Sequence, residues 1–293
     1  MPFTLPSFAK VNLFLEILGK RDDGFHELLT VFQTVSWCDE LTFSSNDGGL
    51  ELTCDNANLL PNDTNLIIRA ANELRSRFRI KSGANIDLRK QIPIGGGLGG
   101  GSSNAAVTLI GLSKLWGLAL KTEQLAVIAG SIGSDVPFFL NGGTAIGTGR
   151  GEVVRQIDEF RANYMIIVTP NIQVSTANAF ADLDAANLTK SGSNRILNVS
   201  RAADILHTEL KNDFEKTVFA AFPEIKRAKS KLLKHGAINA LLSGSGASVF
   251  GIFDNEETRQ TALKALGEEA NWRSFAVAAV SRNEYREALG IGN

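Results

Sequence analysis

Hydrophobic and polar residues alternate along the first part of the chain. From Phe8 to Ile17, the residues Ala9, Val11, Leu13, Leu15 and Ile17 fall on one side of an extended backbone, and Phe8, Lys10, Asn12 and Phe14 fall on the other. This predicts a strand with one apolar face and a lysine and an asparagine on the opposite one. Leu28–Trp37 and Glu40–Ser44 read as two further strands, after a turn at Asp22-Asp23-Gly24. The period then changes to that of a helix. Asp63-Thr64-Asn65 offers capping side chains to a helix from Leu66 to about Phe78, with Leu66, Ala70, Ala71 and Leu74 on one stripe. Ile86 and Leu88 alternate with charge. Beyond a glycine run, Ser102 or Ser103 is placed to cap a helix with Ala106, Leu109, Ile110 and Leu112 at helical spacing toward Trp116, and Thr122 opens another that ends near Gly130.

The pattern restarts after glycine-rich residues 142–151 with a short apolar strand, Tyr164–Thr169, and we place a domain boundary near Glu159. Pro223 begins a helix that runs to Lys234 and stops at Gly236. Ala237–Leu242 and Val249–Phe253 read as strands around Ser243-Gly244-Ser245-Gly246, and a last helix and strand lie between Glu256 and Val280. The order helix, strand, strand, helix, strand suggests a small α+β sandwich in this half.

The chain has 293 residues, enough for one large or two modest domains, and a formal net charge of -1. So little charge provides no standing attraction to polyphosphate, and a nucleic-acid partner is not expected. The first ten residues lack a basic segment followed by a long apolar run, and no apolar stretch approaches the roughly 18 residues that span a bilayer. A cytoplasmic protein with no membrane partner is the expectation, and no protein partner is evident. Two cysteines, Cys38 and Cys54, form no C-x-x-C pair and are expected to be buried thiols. Lys226, Arg227, Lys229, Lys231 and Lys234, interleaved with Leu232 and Leu233, read as a solvated helix face.

Six of the 28 glycines lie between Gly95 and Gly101. Gly95, Gly97 and Gly100 satisfy G-x-G-x-x-G, but a dinucleotide fold needs a strand after the next helix, ending in an acid that holds ribose, and here another helix follows. A Walker A loop ends in Gly-Lys-Ser/Thr, whereas this one ends Gly101-Ser102-Ser103. What both loops share remains: glycine lets backbone N–H groups converge on an anion, and the following helix adds its positive end. A phosphate cradle fits that chemistry, and a tightly packed turn is the duller alternative.

Pro93-Ile94-Gly95-Gly96-Gly97-Leu98-Gly99-Gly100-Gly101-Ser102-Ser103-Asn104-Ala105-Ala106 resembles the phosphate-binding motif of the GHMP kinases, which act on galactose, homoserine, mevalonate and phosphomevalonate. Ala9–Leu13 with Gly24–Leu28, then Gly133–Phe138 and Leu242–Ala247, resemble further motifs of one branch. That branch phosphorylates a methylerythritol carrying a cytidine diphosphate. The resemblance implies an α+β, two-domain fold with the active site in the interdomain cleft. Residues 1–158 would be the ATP-binding domain and 159–293 the C-terminal sandwich. It also implies transfer of the γ-phosphoryl group of ATP, with Mg²⁺, to the 2-hydroxyl of the erythritol unit, in isoprenoid precursor biosynthesis.

Roles carry over by position. Lys10 and Asp135 fall on the catalytic lysine and aspartate. Asp135 would take the hydroxyl proton, while Lys10 would hold Asp135 ionised and stabilise developing charge. Pro93, Ile94, Gly95, Gly96, Gly97, Leu98, Gly99, Gly100, Gly101, Ser102 and Ser103 would hold the ATP phosphates, with either serine able to reach the metal, and Asn65 would contact adenine. Asn12 shares the Lys10 face of the strand. His26 falls on a cytosine-contacting histidine, and Phe25 and Phe180 on two aromatic walls. Position 25 is commonly tyrosine in the branch, so stacking is kept and a hydroxyl is lost. Ser175 and Thr176 lead to Phe180 and would line the same pocket. No carboxylate ligand for Mg²⁺ stands out, so the ion would be held largely by the nucleotide. Another GHMP kinase and a non-catalytic nucleotide sensor are the competing functions; a small aliphatic acid offers nothing to stack, and a sensor would be expected to lack Lys10 or Asp135.

Overall fold

The computed structural model describes residues 1–56, 59, 62–183 and 210–292. Strand β1 (Phe3–Lys20) pairs antiparallel with β2 (His26–Asn46) along almost its whole length. The two strands expected between Leu28 and Ser44 are thus a single strand. The register slips between Phe8, opposite Cys38, and Ala9, opposite Val35. This bulge inserts residues into β2 and bends it instead of ending it. The two parts of β2 then bond different neighbours: β4 (Gly83–Arg89) beyond Glu40, and β5 (Thr144–Thr148) at Thr30–Gln33. β3 (Leu50–Cys54), β6 (Val153–Gln156) and β8 (Lys211–Asn212) complete a seven-stranded sheet, and β8 runs parallel to β1. β7 (Met165–Pro170), β9 (Asn239–Leu242), β10 (Val249–Ile252) and β11 (Trp272–Val277) form a second sheet in the order β11-β7-β10-β9, antiparallel throughout.

The alternation in β1 explains the layering. Ala9, Val11 and Leu13 are fully buried and pack, with Val31, against Met165, Ile167 and Phe250 of the second sheet. Helices α1 (Leu66–Phe78), α2 (Gly100–Leu115) and α3 (Thr122–Ile132) cover the other side of the first sheet, through Ala70, Leu74, Leu109 and Ile128. α3 runs past Gly130, where it was expected to end, because Ile132 still packs into this core. On the far side of the second sheet, α6 (Pro223–Lys234) and α7 (Glu256–Leu266) contribute Ile225, Leu232 and Leu266. The short helices α4 (Thr176–Ala181) and α5 (Glu215–Ala221) lead toward this layer.

Two expectations are corrected. Cys38 and Cys54 are free but only partly buried: Cys38 lies at the β1–β2 bulge and Cys54 on the edge strand β3. A final helix, α8 (Arg282–Ala288), follows the last expected strand; its signal is the capping box in which Ser281 and Glu284 bond each other's backbone. Three of the five basic residues of α6 pair within the fold: Arg227 bridges Glu224 and Glu269, Lys231 also meets Glu269, and Lys229 lies 2.7 Å from Glu215. Among the described residues, no helix is long and apolar enough to cross a membrane.

α8 returns to the first core. Its Tyr285 is fully buried and donates a hydrogen bond to the Phe139 carbonyl at 2.6 Å. Tyr285→Phe leaves that carbonyl buried without its donor, and is expected to cost about 1–2 kcal/mol, read as a lower urea midpoint with unchanged slope.

Candidate active site

The polar face of β1 opens into a cavity of about 570 Å³. Lys10 is 3% exposed, and its ammonium donates to Asn12 Oδ1 at 2.7 Å and to the Gly97 carbonyl at 3.1 Å. Asn12 in turn donates to Thr30 Oγ1 at 2.7 Å, and Thr30 donates to the Phe14 carbonyl at 2.7 Å. This chain fixes which side of the Asn12 amide faces the lysine. Asp135, in the turn after α3, brings Oδ2 to 3.3 Å from the Lys10 ammonium and keeps 30% of its side chain exposed. The lysine is therefore held by buried acceptors, and the carboxylate presents itself to a ligand.

The glycine run leads into α2. Gly99 occupies the cap position with a φ of +69°, and no side chain caps the helix. Ser102 and Ser103 do not cap it as expected, because both already lie inside the first turn. Ser103 is fully buried and accepts from Ser7 at 2.8 Å, while Ser102 lines the cavity. The leading N–H groups of α2 are thus left for an anion at the cavity wall.

Besides the Lys10 ammonium, the Ser243 hydroxyl donates to the Gly97 carbonyl at 3.0 Å, and two backbone contacts hold the loop in place. Lys10 N–H donates to the Leu98 carbonyl at 3.0 Å, and Ser248 N–H donates to the Gly96 carbonyl at 3.1 Å. Behind the loop, Lys90 and Asp39 form a buried pair at 2.7 Å, and Asp39 also accepts from Gln91 N, Ile92 N and Asn104 Nδ2. Burial draws the Lys90 ammonium below its usual range, with Asp39 pulling the other way. The pair ties the segment that enters the loop to the helix that leaves it.

At the aromatic side, His26 stacks on Phe180 with ring centroids 5.0 Å apart, and Phe180 meets Phe214 edge-on at 4.8 Å. Burial, then the charge of Lys20, holds the His26 imidazole below its ordinary value, so at neutral pH it is uncharged and offers one donor and one acceptor. Phe25 sits at the tip of the turn between β1 and β2, 53% exposed.

Lys10, Asn12, Asn65, Asp135, Thr176 and Phe180 line the one cavity together with the whole run Pro93–Ser102. Asn65 caps α1, accepting from Ile67 N at 3.0 Å. Thr176 Oγ1 accepts a hydrogen bond from the Ser245 hydroxyl at 3.0 Å. Phe25, His26, Ser103 and Ser175 are not among the residues that line the cavity; His26 reaches it through its stack on Phe180, and Ser175 is exposed and caps α4. The sequence reasoning missed Arg150, which lines the cavity, and the Lys90–Asp39 pair behind it. For Arg150 a signal existed, a charged residue between two glycines in the Gly149-Arg150-Gly151 turn; for Asp39, 51 residues from Lys90, there was none.

The GHMP kinases N terminal domain matches residues 65–143, and the GHMP kinases C terminal domain matches residues 184–271. The chain belongs to the GHMP kinase family. As a GHMP kinase it uses ATP to phosphorylate a small molecule. It is 41% identical over 281 residues to a 4-diphosphocytidyl-2-C-methyl-D-erythritol kinase of Prochlorococcus marinus (strain MIT 9312), covering 89% of each chain. It is 39% identical over 276 residues to the enzyme of the same name from Syntrophus aciditrophicus (strain SB), covering 93% of this chain and 97% of that one. A crystal structure of 4-(cytidine 5'-diphospho)-2C-methyl-D-erythritol kinase superposes with a TM-score of 0.80 at 29% identity, covering 94% of this GHMP kinase and 99% of the other. Homoserine kinase from Cytophaga hutchinsonii shares the fold, with a TM-score of 0.72 at 20% identity over 96% of this chain and 95% of its own. The two-domain α+β architecture with its cleft is that of the family.

Proposed function

We propose that this GHMP kinase transfers the γ-phosphoryl group of ATP to the 2-hydroxyl of 4-diphosphocytidyl-2-C-methyl-D-erythritol, giving the 2-phosphate and ADP, in isoprenoid precursor biosynthesis. The observation that carries the reading is the Lys10–Asp135 pair at 3.3 Å in the cavity that the glycine loop also lines. Phosphoryl transfer asks a protein mainly for positioning and for charge opposite the transferred group. The loop amides and the start of α2 bind the nucleotide phosphates. The Asp135 carboxylate accepts the proton of the attacking hydroxyl, and the Lys10 ammonium, which cannot leave its buried acceptors without cost, stabilises charge gathering between donor and acceptor. Asn12 keeps Lys10 on that line.

Among the described residues, no group of three or more histidine, cysteine, aspartate or glutamate side chains could hold a metal ion. Mg²⁺ would be carried on the nucleotide, with water and phosphate as most of its ligands and the Ser102 hydroxyl as the protein oxygen at hand, and would neutralise phosphate charge. His26 and Phe180 supply polar and stacking contacts suited to cytosine, with Phe25 as the outer ring and Asn65 near adenine. Ser175 and Thr176 position α4. A sensor without catalysis would not need Lys10 and Asp135 together. We also propose the division of the chain near Glu159, with residues 1–158 carrying the phosphate cradle and 159–293 the second α+β layer, from which β8 and α8 return to the first sheet and its core.

The test is turnover. Incubated with ATP, Mg²⁺ and one alcohol at a time, the protein is expected to release ADP with the cytidylyl erythritol and not with mevalonate or homoserine. ADP produced with mevalonate alone would overturn the choice of acceptor.

A further inference from the structure

Three cations line the cavity among the described residues: Lys10, Lys90 and Arg150. Two are committed. Lys10 holds Asp135, Asn12 and the Gly97 carbonyl, and Lys90 holds Asp39 and the Ile92 carbonyl. Arg150 is different. Its ion-pair partner is Glu152 on the same turn, 3.4 Å from Nε, Asp23 also feels its charge, and its two terminal nitrogens donate no hydrogen bond among the described residues.

Its location is specific. The next residue, Gly151, stands so close to the base that an added Cβ would lie 3.8 Å from Asp135 Oδ1. At the other end of the side chain, the guanidinium carbon is 4.8 Å from the centre of the Phe25 ring. Residue 150 therefore lies between the two ends of the site, its backbone beside the reacting group and its guanidinium at Phe25. The turn that carries it is tied down: Gly149 N–H donates to Glu27 Oε1 at 3.1 Å, Leu28 N–H donates to the Gly149 carbonyl at 2.7 Å, and Arg150 N–H donates to Glu152 Oε2 at 2.6 Å. Glu27 is itself held by Arg21 at 2.6 Å. Over the Phe25 ring, the guanidinium keeps its two terminal nitrogens without a protein acceptor among the described residues, and such a pair of N–H donors fits phosphate oxygens.

We propose that Arg150 binds the diphosphate linker of the acceptor and so sets the preference for a nucleoside-diphosphate alcohol over an uncharged one. This rests on the acceptor class proposed above. Such a linker joins an alcohol to a nucleoside and carries two negative charges, which need a cation once they leave water. A ring that stacks beside Phe25 and a hydroxyl at Asp135 put the linker at this guanidinium. Glu152 holds Nε and leaves the Nη edge for the ligand.

The experiment compares the wild type with Arg150→Met and Arg150→Lys by steady-state kinetics, and measures cytidine and CDP binding by calorimetry. In Arg150→Met the KM for the cytidylyl erythritol is expected to rise roughly 10- to 100-fold, with the KM for ATP unchanged. The wild type is expected to bind CDP more tightly than cytidine. Arg150→Met should bind cytidine as the wild type does and lose the advantage of CDP, and Arg150→Lys should recover part of it. Equal loss of cytidine and CDP binding would overturn the proposal, since Arg150 would then serve only to hold Phe25. A change confined to the KM for ATP would overturn it as well. The binding comparison needs no turnover. A wild type that prefers CDP through Arg150 but phosphorylates another alcohol would sink the assigned reaction and leave this inference standing.

Discussion

Asp135→Asn is expected to lower kcat by roughly 10³-fold, the range that a positioned general base contributes, while the KM for ATP stays close to the wild-type value. The substitution keeps the shape of the side chain and removes its ability to accept a proton. The fold has no reason to fail: Asp135 is partly exposed, and Lys10 retains Asn12 and the Gly97 carbonyl as partners. The nucleotide cradle is built from other residues, so ATP binding separates loss of chemistry from loss of the site. Single-turnover phosphoryl transfer is the measurement, because it bypasses product release. Near wild-type transfer by Asp135→Asn would remove the aspartate from the reaction. Lys10→Met makes a second case: it removes a buried charge and leaves Asn12 Oδ1 without its lysine donor, while the Gly97 carbonyl keeps only the Ser243 hydroxyl, so a lower melting temperature is expected beside the lost rate.

The second large effect is expected at Gly97. Its φ is +75°, which already disfavours any L side chain, and an added Cβ would stand 2.0 Å from the Ser243 carbonyl and 2.9 Å from Gly246 N. Neither backbone atom can move without shifting the 243–246 segment. Gly97→Ala is expected to weaken ATP binding at least about 100-fold, because the loop must leave its seat and the phosphate-facing amides move with it. Gly95→Ala is the control. It has a φ of +72° but nothing within 4 Å of the added atom, so only the left-handed backbone is charged, about 1 kcal/mol. Nucleotide titration of both variants decides the matter; equal losses would mean that close packing against residues 243–246 is not what shapes the cradle.

Local signals carried much of this molecule. Helices α1 and α6 begin and end where capping and proline chemistry place them, at Leu66–Phe78 and Pro223–Lys234. The alternation in β1 identified the face that bears Lys10 and Asn12. What the residues could not reveal was non-local. Whether the stretch around Trp37 ends a strand or bends it depends on β1 running alongside, and the bulge follows from that pairing. The cap of α2 passed to Gly99 because the loop needs a left-handed turn before the helix, and Ser103 was drawn inward by Ser7, 96 residues away. The catalytic and aromatic assignments came from motif resemblance, since a lysine on a strand or a phenylalanine near a turn has no chemistry of its own to announce. Arg150 was passed over because a single charged residue in a turn is usually solvated, and only its neighbours Phe25 and Asp135 give it a task.

The two-residue strand β8 bears on how the chain is assembled. It lies beside Phe14 and Leu15, and its Asn212 donates to the carbonyls of Leu242 and Gly244 at 2.8 and 2.7 Å. Later in the chain, α8 sinks Tyr285 into the core beneath the first sheet. Sequence order and mechanical connection therefore differ. A cut at the linker near residue 159 would leave an amino-terminal fragment missing an edge strand and part of its interior, and a carboxy-terminal fragment carrying both as loose ends. The cleft is laced across by returning chain, so its two walls are built to form together.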